Sequence, residues 1–177
     1  MVVDKYPVNK TVCLVLHCYR IIGPDRSDMQ LTRAADYAVR AMIHLACLPP
    51  GARPSHTELA RAVECPEQFL SKVLQRLTHA GLIVSHRGKA GGFELRDTRR
   101  QTTTVLEVVE VIEGPLRLNL CLESANSCER QHWCPAHAVW AEGQAALVKI
   151  LRSATIASLA HQTPAARLSL EGVPVWK

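Results

Sequence analysis

Long apolar runs are absent from this sequence, and their absence argues against a membrane protein. The run Val12–Leu16 is far shorter than the roughly 20 apolar residues that a membrane-spanning helix needs. Lys5 and Lys10 precede this run, but no small-residue cleavage site follows it, as an export signal would require. We therefore expect a cytoplasmic protein that has no membrane partner.

Closely paired cysteines are also missing. The chain has seven cysteines, an odd number, and none of them stands in the Cys-x2-Cys spacing of zinc knuckles and ferredoxins. Without an export signal, reduced thiols are favoured over a disulfide scaffold, and Cys47 and Cys65 are predicted to be small buried hydrophobes. Because no spacing offers a paired thiol of low pKa, we predict that the chain is not an enzyme and has no small-molecule substrate.

Acidic residues are few in the segment that is richest in basic residues. The net charge of +5 does not show this uneven distribution along the chain. Residues 71–100 carry seven Lys and Arg against two acids, whereas residues 101–142 carry two Lys and Arg against six acids. The overall composition, with 47% apolar and 21% charged residues, is typical of a globular domain. The sequence thus predicts a basic surface beside an acidic, cysteine-bearing one.

The basic region contains two predicted short helices. Ser55-His56-Thr57-Glu58 has the pattern of a capping box, which predicts a helix to about Val63. Pro66 favours the start of a second helix that runs to Gly81. Two helices joined by a tight turn, the second with a polar face, indicate a helix-turn-helix that fits the major groove of DNA. The predicted buried face of the second helix is Phe69, Leu70, Val73, Leu74 and Leu77, and its polar face is Gln68, Ser71, Lys72, Gln75, Arg76 and His79.

A basic hairpin is predicted directly after these helices. Leu82–Ser85 and Phe93–Arg96 favour strands around a flexible, glycine-rich tip at residues 86–92. The glycines allow a close backbone approach to a partner. A helix-turn-helix followed by such a wing favours DNA binding over a merely solvated surface. We expect base contacts from Gln68, Ser71 and Lys72, and backbone contacts from Arg76, Arg87 and Lys89.

Helical patterns lie on both sides of this region. Apolar spacing from Leu31 predicts a first helix with Thr32 as its N-cap, ending at residues 49–51. Thr104-Val105-Leu106-Glu107 is a second capping box, starting a helix that ends at Gly114.

A long helix after Pro135 has an apolar seam formed by Ala136, Trp140, Gly143, Leu147, Ile150 and Ala154. Because no other segment remains to cover this seam, we expect a homodimer on a palindromic site; the alternative places Trp140 in the intramolecular core.

These patterns divide the chain into five regions. The first strong periodicity begins only after Met29, so we expect residues 1–28 to be a non-native or flexible extension. The regions that follow are a winged helix-turn-helix over 29–114, a cysteine-rich loop over 115–135, a dimerisation helix with a closing helix over 136–160, and a flexible tail over 161–177. The predicted fold is mainly α with a small β wing.

The cysteine-rich loop has a concentration of metal-binding side chains. Cys121, Cys128, Cys134 and His137 follow one another with Cys-x6-Cys-x5-Cys-x2-His spacing. Asn126-Ser127 and Pro135 favour a loop here, and only a loop lets these side chains converge on one centre. Three thiolates and one imidazole also make a permitted closed zinc set, so the identity of the metal stays open at this point.

From Met29 to about Ala160, the chain resembles the Rrf2 family of bacterial transcription regulators. The segments that carry the resemblance are MQLTRAADYAVRAMIHLA, LQRLTHAGLI, VSHRGKAGGFEL, VLEVVEVIEG and the three late cysteines with CPAHAVW. The resemblance implies a winged-helix homodimer with a long dimerisation helix. Its expected partner is double-stranded promoter DNA, and its expected location is the bacterial cytoplasm.

Three-cysteine members of that family bind an iron–sulfur cluster that reports on cluster supply, nitric oxide or redox state. The resemblance makes Cys121, Cys128 and Cys134 the thiolate ligands here. In the IscR-like branch, a histidine at the position of His137 completes a [2Fe–2S] site, which we favour. In the NsrR-like branch, an acid at the position of Asp36 of the other subunit reaches a [4Fe–4S] cluster.

Two features depart from the IscR-like pattern. The first cysteine gap of six residues is longer than the usual five, which affects the geometry of a cluster. Ser71 stands where that branch carries a discriminating glutamate, so the DNA preference need not be the same. The alternative function is a winged-helix regulator without a cluster, which uses thiol redox chemistry or zinc.

Overall fold

A computed structural model describes residues 31–88, 90–124 and 126–163 of the chain. The predicted extension over residues 1–28, Lys89 and the tail from residue 164 lie outside these ranges. The described elements are α1 (Arg33–Cys47), α2 (His56–Ala62), α3 (Glu67–His79), β1 (Ile83–His86), β2 (Gly92–Leu95), α4 (Asp97–Arg100), α5 (Val105–Glu113), α6 (Pro135–Ser153) and α7 (Ile156–Gln162). The described part is mainly helical with one two-stranded antiparallel sheet, which confirms the predicted fold class.

Helix α1 lies at the centre of the core. The Thr32 hydroxyl accepts a hydrogen bond from the backbone N–H of Ala35 at 3.3 Å, as predicted for an N-cap. The inward side of α1 packs against α3, α5 and α7, and Met42 and Leu45 are among its fully buried side chains. The helix-turn-helix and the C-terminal helices therefore share one hydrophobic core.

Helices α2 and α3 form the predicted helix-turn-helix. The Ser55 hydroxyl accepts from the Glu58 N–H at 3.3 Å, and the Glu58 carboxylate accepts from the Ser55 N–H at 2.7 Å. This reciprocal pair confirms the capping box. The backbone turns at Glu64, which has a φ of 54°, and α3 begins after Pro66, which serves as its N-cap.

Phe69 departs from the predicted buried face of α3. Its side chain is 41% exposed, and its ring lies edge-on to that of Tyr37 on α1, with centroids 5.7 Å apart. The prediction that Phe69 belongs to the core was wrong. Successive residues of an α-helix are rotated by about 100° about its axis, so a residue next to a buried one need not be buried. Phe69 therefore lies on the flank of the buried stripe that includes Leu70 and Val73.

The wing is a short hairpin packed against the loop between α1 and α2. Its strands pair from Ile83 with Leu95 to His86 with Gly92, within one residue of the predicted bounds. The Phe93 N–H donates to the Pro54 carbonyl at 2.9 Å. A Cβ on Gly92 would lie only 2.3 Å from the nearest backbone oxygen of that loop. The absence of a side chain at Gly92 thus serves internal packing, whereas the sequence suggested an approach to an outside partner.

The segment after the wing was only partly predicted. Helix α4 was not foreseen, whereas α5 begins at the expected N-cap, where Thr104 accepts from the Glu107 N–H at 3.1 Å. The Glu107 carboxylate pairs with Arg99 at 3.1 Å. The Val105 N–H bonds the Ala154 carbonyl at 2.9 Å, which joins the start of α5 to the end of α6.

Helix α6 has no fully buried side chain among its 19 residues. Its inner side lies on α5 and on the 3-10 turn Leu120–Leu122. Its outer side exposes 63% of Val139, 40% of Trp140 and 63% of Ile150. Within the described ranges, no helix is long and apolar enough to cross a membrane.

Candidate nucleic-acid interface and cysteine loop

Helix α3 divides into a buried side and an exposed polar side. Leu70, Val73, Leu74 and Leu77 fill the core, which fixes how the helix is rotated about its axis. All the residues predicted on its polar face are exposed, and they are Gln68, Ser71, Lys72, Gln75, Arg76 and His79. The buried stripe therefore presents the predicted polar face to solvent.

The polar face of α3 contacts α2 through a side chain that the sequence analysis did not assign to the site. His56, the first residue of α2, places its Nε2 atom 3.1 Å from the Ser71 hydroxyl oxygen. Its Nδ1 atom lies 3.7 Å from a carboxylate oxygen of Glu67. No sequence pattern predicts this contact, because it depends on how the two helices pack.

A groove of about 250 Å³ separates α3 from the wing. Its seven lining residues, all but one of them of a polar type, are His56, Ser71, Gln75, Thr78, His79, Ser85 and Phe93. The groove brings the predicted base-contacting helix and the predicted wing to the same surface. This juxtaposition is the arrangement that a winged helix uses to hold a DNA duplex.

The predicted backbone contacts differ in their surroundings. Arg87 is exposed at the wing tip, and Lys89 lies outside the described residues. One Nη atom of Arg76 donates to the Ile112 carbonyl near the end of α5, so this side chain also links two helices. A guanidinium has five N–H donors, which leaves further donors on Arg76 for a second partner.

An acidic side chain balances the base of the wing. The Glu94 carboxylate accepts from Arg53 Nε at 3.0 Å and lies 2.8 Å from His86 Nε2. The hydrogen bond from Arg53 is the main cause that lowers the pKa of Glu94, and His86 adds to it. These contacts fix the wing on the α1–α2 loop and leave Arg87 at the tip for an outside partner.

The cysteine loop holds the three late cysteines as half-buried, free thiols. Cys121 is in the 3-10 turn, Cys128 is in a turn-rich segment, and Cys134 is the N-cap residue of α6. Among the described residues, no three His, Cys, Asp or Glu side chains are gathered so that they could hold a metal ion. The structure thus leaves the predicted ligands near one another in the chain without bringing them to one point.

The two candidates for a fourth ligand have different surroundings. His137 is half-buried in the first turn of α6, where its backbone N–H donates to the Cys134 carbonyl at 3.1 Å. Asp36 is in the first turn of α1 and forms an ion pair with Arg40 at 2.8 Å. His137 is therefore adjacent to a cysteine of the loop, whereas Asp36 has a partner on its own helix.

Cys47 and Cys65 behave as the sequence predicted for packing residues. Burial raises the pKa of both thiols, which keeps them protonated at neutral pH. Metal ligation and nucleophilic attack both require the thiolate. These two cysteines are therefore poor ligands.

The cysteine loop is tied to α6 at a second place. The Leu118 N–H donates to the Gln144 side-chain oxygen at 3.1 Å. A Cβ on Gly143 would lie 3.5 Å from the Leu118 side chain, so the helix and the loop are in contact there. A rearrangement of the loop would therefore act on α6 both at Cys134 and near the middle of the helix.

Comparison with known proteins agrees with this architecture. A family model described as Rrf2, an iron-dependent transcriptional regulator, matches residues 31–162. Protein aau3 of Rhizobium meliloti (strain 1021) is 33% identical over 138 residues, which cover 77% of this chain and 88% of that protein. An HTH-type transcriptional regulator of Mycobacterium tuberculosis is 39% identical over 88 residues, which cover 50% of this chain and 54% of that protein.

Solved structures show the same fold. CymR, the global cysteine regulator of B. subtilis, has a TM-score of 0.63 and 26% identity, covering 77% of this chain and 100% of that chain. T. potens IscR has a TM-score of 0.62 and 23% identity, covering 80% of this chain and 93% of that chain. Family members are transcriptional regulators and not enzymes, and they bind DNA, typically as dimers. Because the family model matches most of the chain, this protein belongs to the Rrf2 family of transcriptional regulators.

Proposed function

We propose that this chain is a homodimeric regulator that reads promoter DNA through α3 and the wing, with an affinity set by the state of its cysteine loop. The observation that carries the proposal is the exposed polar face of α3 beside the wing, across one shared groove. An α-helix with its side chains is about 10–12 Å wide, which matches the major groove of B-form DNA.

The side chains on this surface divide into two kinds of contact. Gln68, Ser71 and Lys72 face outward from the first two turns of α3, where they would meet base edges. Arg76, Arg87 and Lys89 would neutralise phosphates, a role that orients the protein without reading sequence. Each phosphate contact should appear as a contribution to the salt dependence of binding.

Salt titration tests the DNA-binding surface directly. The Arg87→Ala variant should bind a selected DNA site less tightly, with a salt slope reduced by about one counterion. Arg152→Ala is the matched control, because Arg152 is exposed at the end of α6, away from the groove. Equal salt slopes for Arg87→Ala and the unmodified protein would contradict the role of the wing.

A second copy of the chain is the partner that best fits α6. An outer strip of this helix exposes Ala136, Val139, Trp140 and Ile150, with the spacing of one helical face. Large apolar side chains with 63% exposure are costly in water, and a twofold contact would cover both copies at once. Such a dimer would present two α3 helices to the two halves of a palindromic site.

The donor set of the loop fits an iron–sulfur cluster by its chemistry. Cys121, Cys128 and Cys134 would be the thiolate ligands, and His137 is favoured over Asp36 of the partner subunit as the fourth. An iron–sulfur cluster supplies reversible one-electron redox chemistry and sensitivity to oxidants when it is bound. The [2Fe–2S] type fits a histidine ligand, and the [4Fe–4S] type fits the aspartate.

The loop would reach the DNA-binding surface through α6. Cys134 and His137 are at the start of this helix, and Gln144 holds the loop again at Leu118. A change in the loop would thus alter how the two copies of α6 hold their winged helices. Coupling of this kind is typically worth about 1–3 kcal/mol, and DNA must then change the stability of the loop by the same amount.

A regulator without a cluster is the second candidate. The observation that favours it is the absence, among the described residues, of three gathered metal-binding side chains. In that case, the half-buried thiols of the loop would respond to oxidation directly. A zinc-bearing regulator, the other form of this candidate, would need the loop to gather its ligands, as a cluster does. The two candidates share the fold and the DNA-binding surface.

Anaerobic purification distinguishes them. A cluster should give a coloured protein with about equal iron and acid-labile sulfide, and both should be lost in Cys128→Ala but kept in the control Cys47→Ala. DNA affinity is then measured with and without the chromophore. A colourless protein without iron or sulfide, whose DNA binding is unchanged when all three late cysteines are replaced by Ala, would refute the sensor.

A further inference from the structure

Three side chains form a chain of polar contacts that ends on the recognition face of α3. The Glu67 carboxylate lies 3.7 Å from His56 Nδ1, and His56 Nε2 lies 3.1 Å from the Ser71 hydroxyl oxygen. His56 comes from α2, whereas the other two residues come from α3. The imidazole therefore links the two helices and bonds a side chain that points away from the core.

The nearby carboxylate favours one of the two nitrogens of the neutral imidazole as the one that carries the hydrogen. A neutral imidazole has one N–H donor and one acceptor nitrogen, and the partner of one nitrogen selects the tautomer. Glu67 is acceptor-only and negatively charged, so its position near Nδ1 favours the hydrogen there. Nε2 is then an acceptor, and the Ser71 hydroxyl must donate to it.

Because the Ser71 hydroxyl donates to His56, Ser71 can only accept a hydrogen bond from DNA. A hydroxyl has one hydrogen to donate, and here that hydrogen is directed to His56. Only the lone pairs of the oxygen remain for an outside partner. In the major groove, the donors that such an oxygen can meet are the exocyclic amines of cytosine and adenine.

We propose that His56 and Glu67 are positioning residues that make Ser71 a hydrogen-bond acceptor, so that it recognises an exocyclic amine in the major groove. The inference rests on the proposed function, because it requires α3 to lie in that groove. A serine without such partners donates or accepts as the base requires, and so discriminates weakly. The preference of Ser71 is thus built by a residue of the preceding helix.

The test first locates the base pair that Ser71 contacts. DNA sites are selected from a random library at pH 8, where imidazoles are neutral, by the unmodified protein and by Ser71→Ala. We expect one position whose base preference is lost in Ser71→Ala. Failure of the unmodified protein to select any site would refute the proposed function itself. A selected site that Ser71→Ala leaves unchanged would refute only the present inference.

Base analogues then identify the chemical group. At that position, 2-pyrimidinone or purine removes the exocyclic amine of cytosine or adenine, and a 7-deazapurine removes the acceptor N7. Loss of the amine should weaken binding about three- to tenfold more for the unmodified protein than for Ser71→Ala. This comparison cancels the effect of the analogue on the duplex. A Ser71-dependent loss on removal of N7, but not of the amine, would overturn the inference.

Variants of the positioning residues complete the test. His56→Ala should relax the Ser71-dependent preference for the amine, because the freed hydroxyl can then also donate to an acceptor of another base. Glu67→Gln should relax it less. Thr57→Ala is the control, since Thr57 is the exposed neighbour of His56 on α2, and it should keep the preference. If His56 only ties the helices together, His56→Ala will weaken binding to all analogue duplexes equally, and the inference is then wrong. Circular dichroism confirms that each variant is folded.

Discussion

At the scale of single residues, His44 makes the fold sensitive to acid. Its side chain is 1% exposed within α1, its Nδ1 atom has no hydrogen-bond partner, and burial lowers its pKa to about 4. The unfolded chain takes up this proton near pH 6.5, but the folded chain does not until about pH 4. The free energy of unfolding should therefore fall between pH 6.5 and pH 4, by up to about 1.4 kcal/mol per pH unit.

The His44→Leu variant isolates this effect. Urea unfolding between pH 8 and pH 5 should show a weaker pH dependence than in the unmodified protein. Exposed histidines contribute equally to both proteins, so the difference between the two curves reports His44 alone. Parallel curves would show that His44 is already protonated in the fold or is not desolvated.

Arg100 is a second residue with a structural role. Its Nη1 atom donates to the carbonyls of Ala46 at 3.0 Å and Leu48 at 3.1 Å, which caps the end of α1 from 52 residues away. Arg100→Met keeps the aliphatic part but removes the donors, and should lower the free energy of unfolding by about 1.5–3 kcal/mol. The matched control, Arg99→Met, removes a partly exposed ion pair with Glu107 and should cost less than about 1 kcal/mol. Similar losses in denaturant titration would contradict the capping role.

Sequence reasoning succeeds for residues whose role is local. Thr32, Ser55 and Thr104 were predicted as N-caps, because a cap bonds to backbone three residues away. The partners of His56 and Arg100 could not be predicted, because they are 15 and about 52 to 55 residues away in the chain. The edge-on contact of Phe69 with Tyr37 shows the same limit, because Tyr37 lies 32 residues earlier in the chain.

At the scale of elements, the wing depends on one glycine. Gly92 has a φ of 156°, and an added Cβ would contact the backbone oxygens of Arg53 at 2.3 Å and Pro54 at 2.6 Å. Gly92→Ala should therefore displace β2 from the α1–α2 loop, lowering stability by about 2–4 kcal/mol and weakening DNA binding. Gly88→Ala is the control, because Gly88 also has a positive φ but has nothing within 4 Å of the added Cβ.

Gly88→Ala should cost only about 1 kcal/mol, from backbone strain alone. Denaturant unfolding and anisotropy with labelled DNA measure both properties. Equal losses in the two variants would mean that the close packing of Gly92 is not important. The wing could be predicted from the sequence because strand, turn and glycine signals are short-range. The function of Gly92 could not be predicted, because it depends on a loop about 40 residues earlier.

At the scale of the whole molecule, the proposed dimer would form through the outer strip of α6. Ile150→Glu should place two negative charges, one from each copy, in the proposed twofold contact. The variant should therefore be a monomer, which sedimentation experiments would show. Binding to a palindromic site should then fall by at least tenfold, while stability to urea changes little, because Ile150 is exposed within one chain. The control Lys149→Glu changes a neighbouring exposed position outside the strip and should remain dimeric. A monomeric unmodified protein would contradict the dimer.

The whole-molecule features were predictable in different degrees. The apolar spacing of residues 136–154 predicted a long helix with an uncovered face, because the periodicity of apolar residues indicates which face of a helix is exposed to solvent. The same sequence supplied the possible ligands Cys121, Cys128, Cys134 and His137, but not their convergence. A loop has no residue periodicity from which its three-dimensional path could be predicted.

The hydrogen bond from Val105 to Ala154 gives α6 a fixed end. The helix has 19 residues, so its start at Pro135 lies about 28 Å from that end. A tilt of about 5° around Ala154 would move the start by about 2.5 Å, nearly the rise of two helical residues. The cysteine loop lies at the far end of α6 from this hydrogen bond, so in the proposed dimer a small change in the shape of the loop would become an angular change between the two copies of the chain.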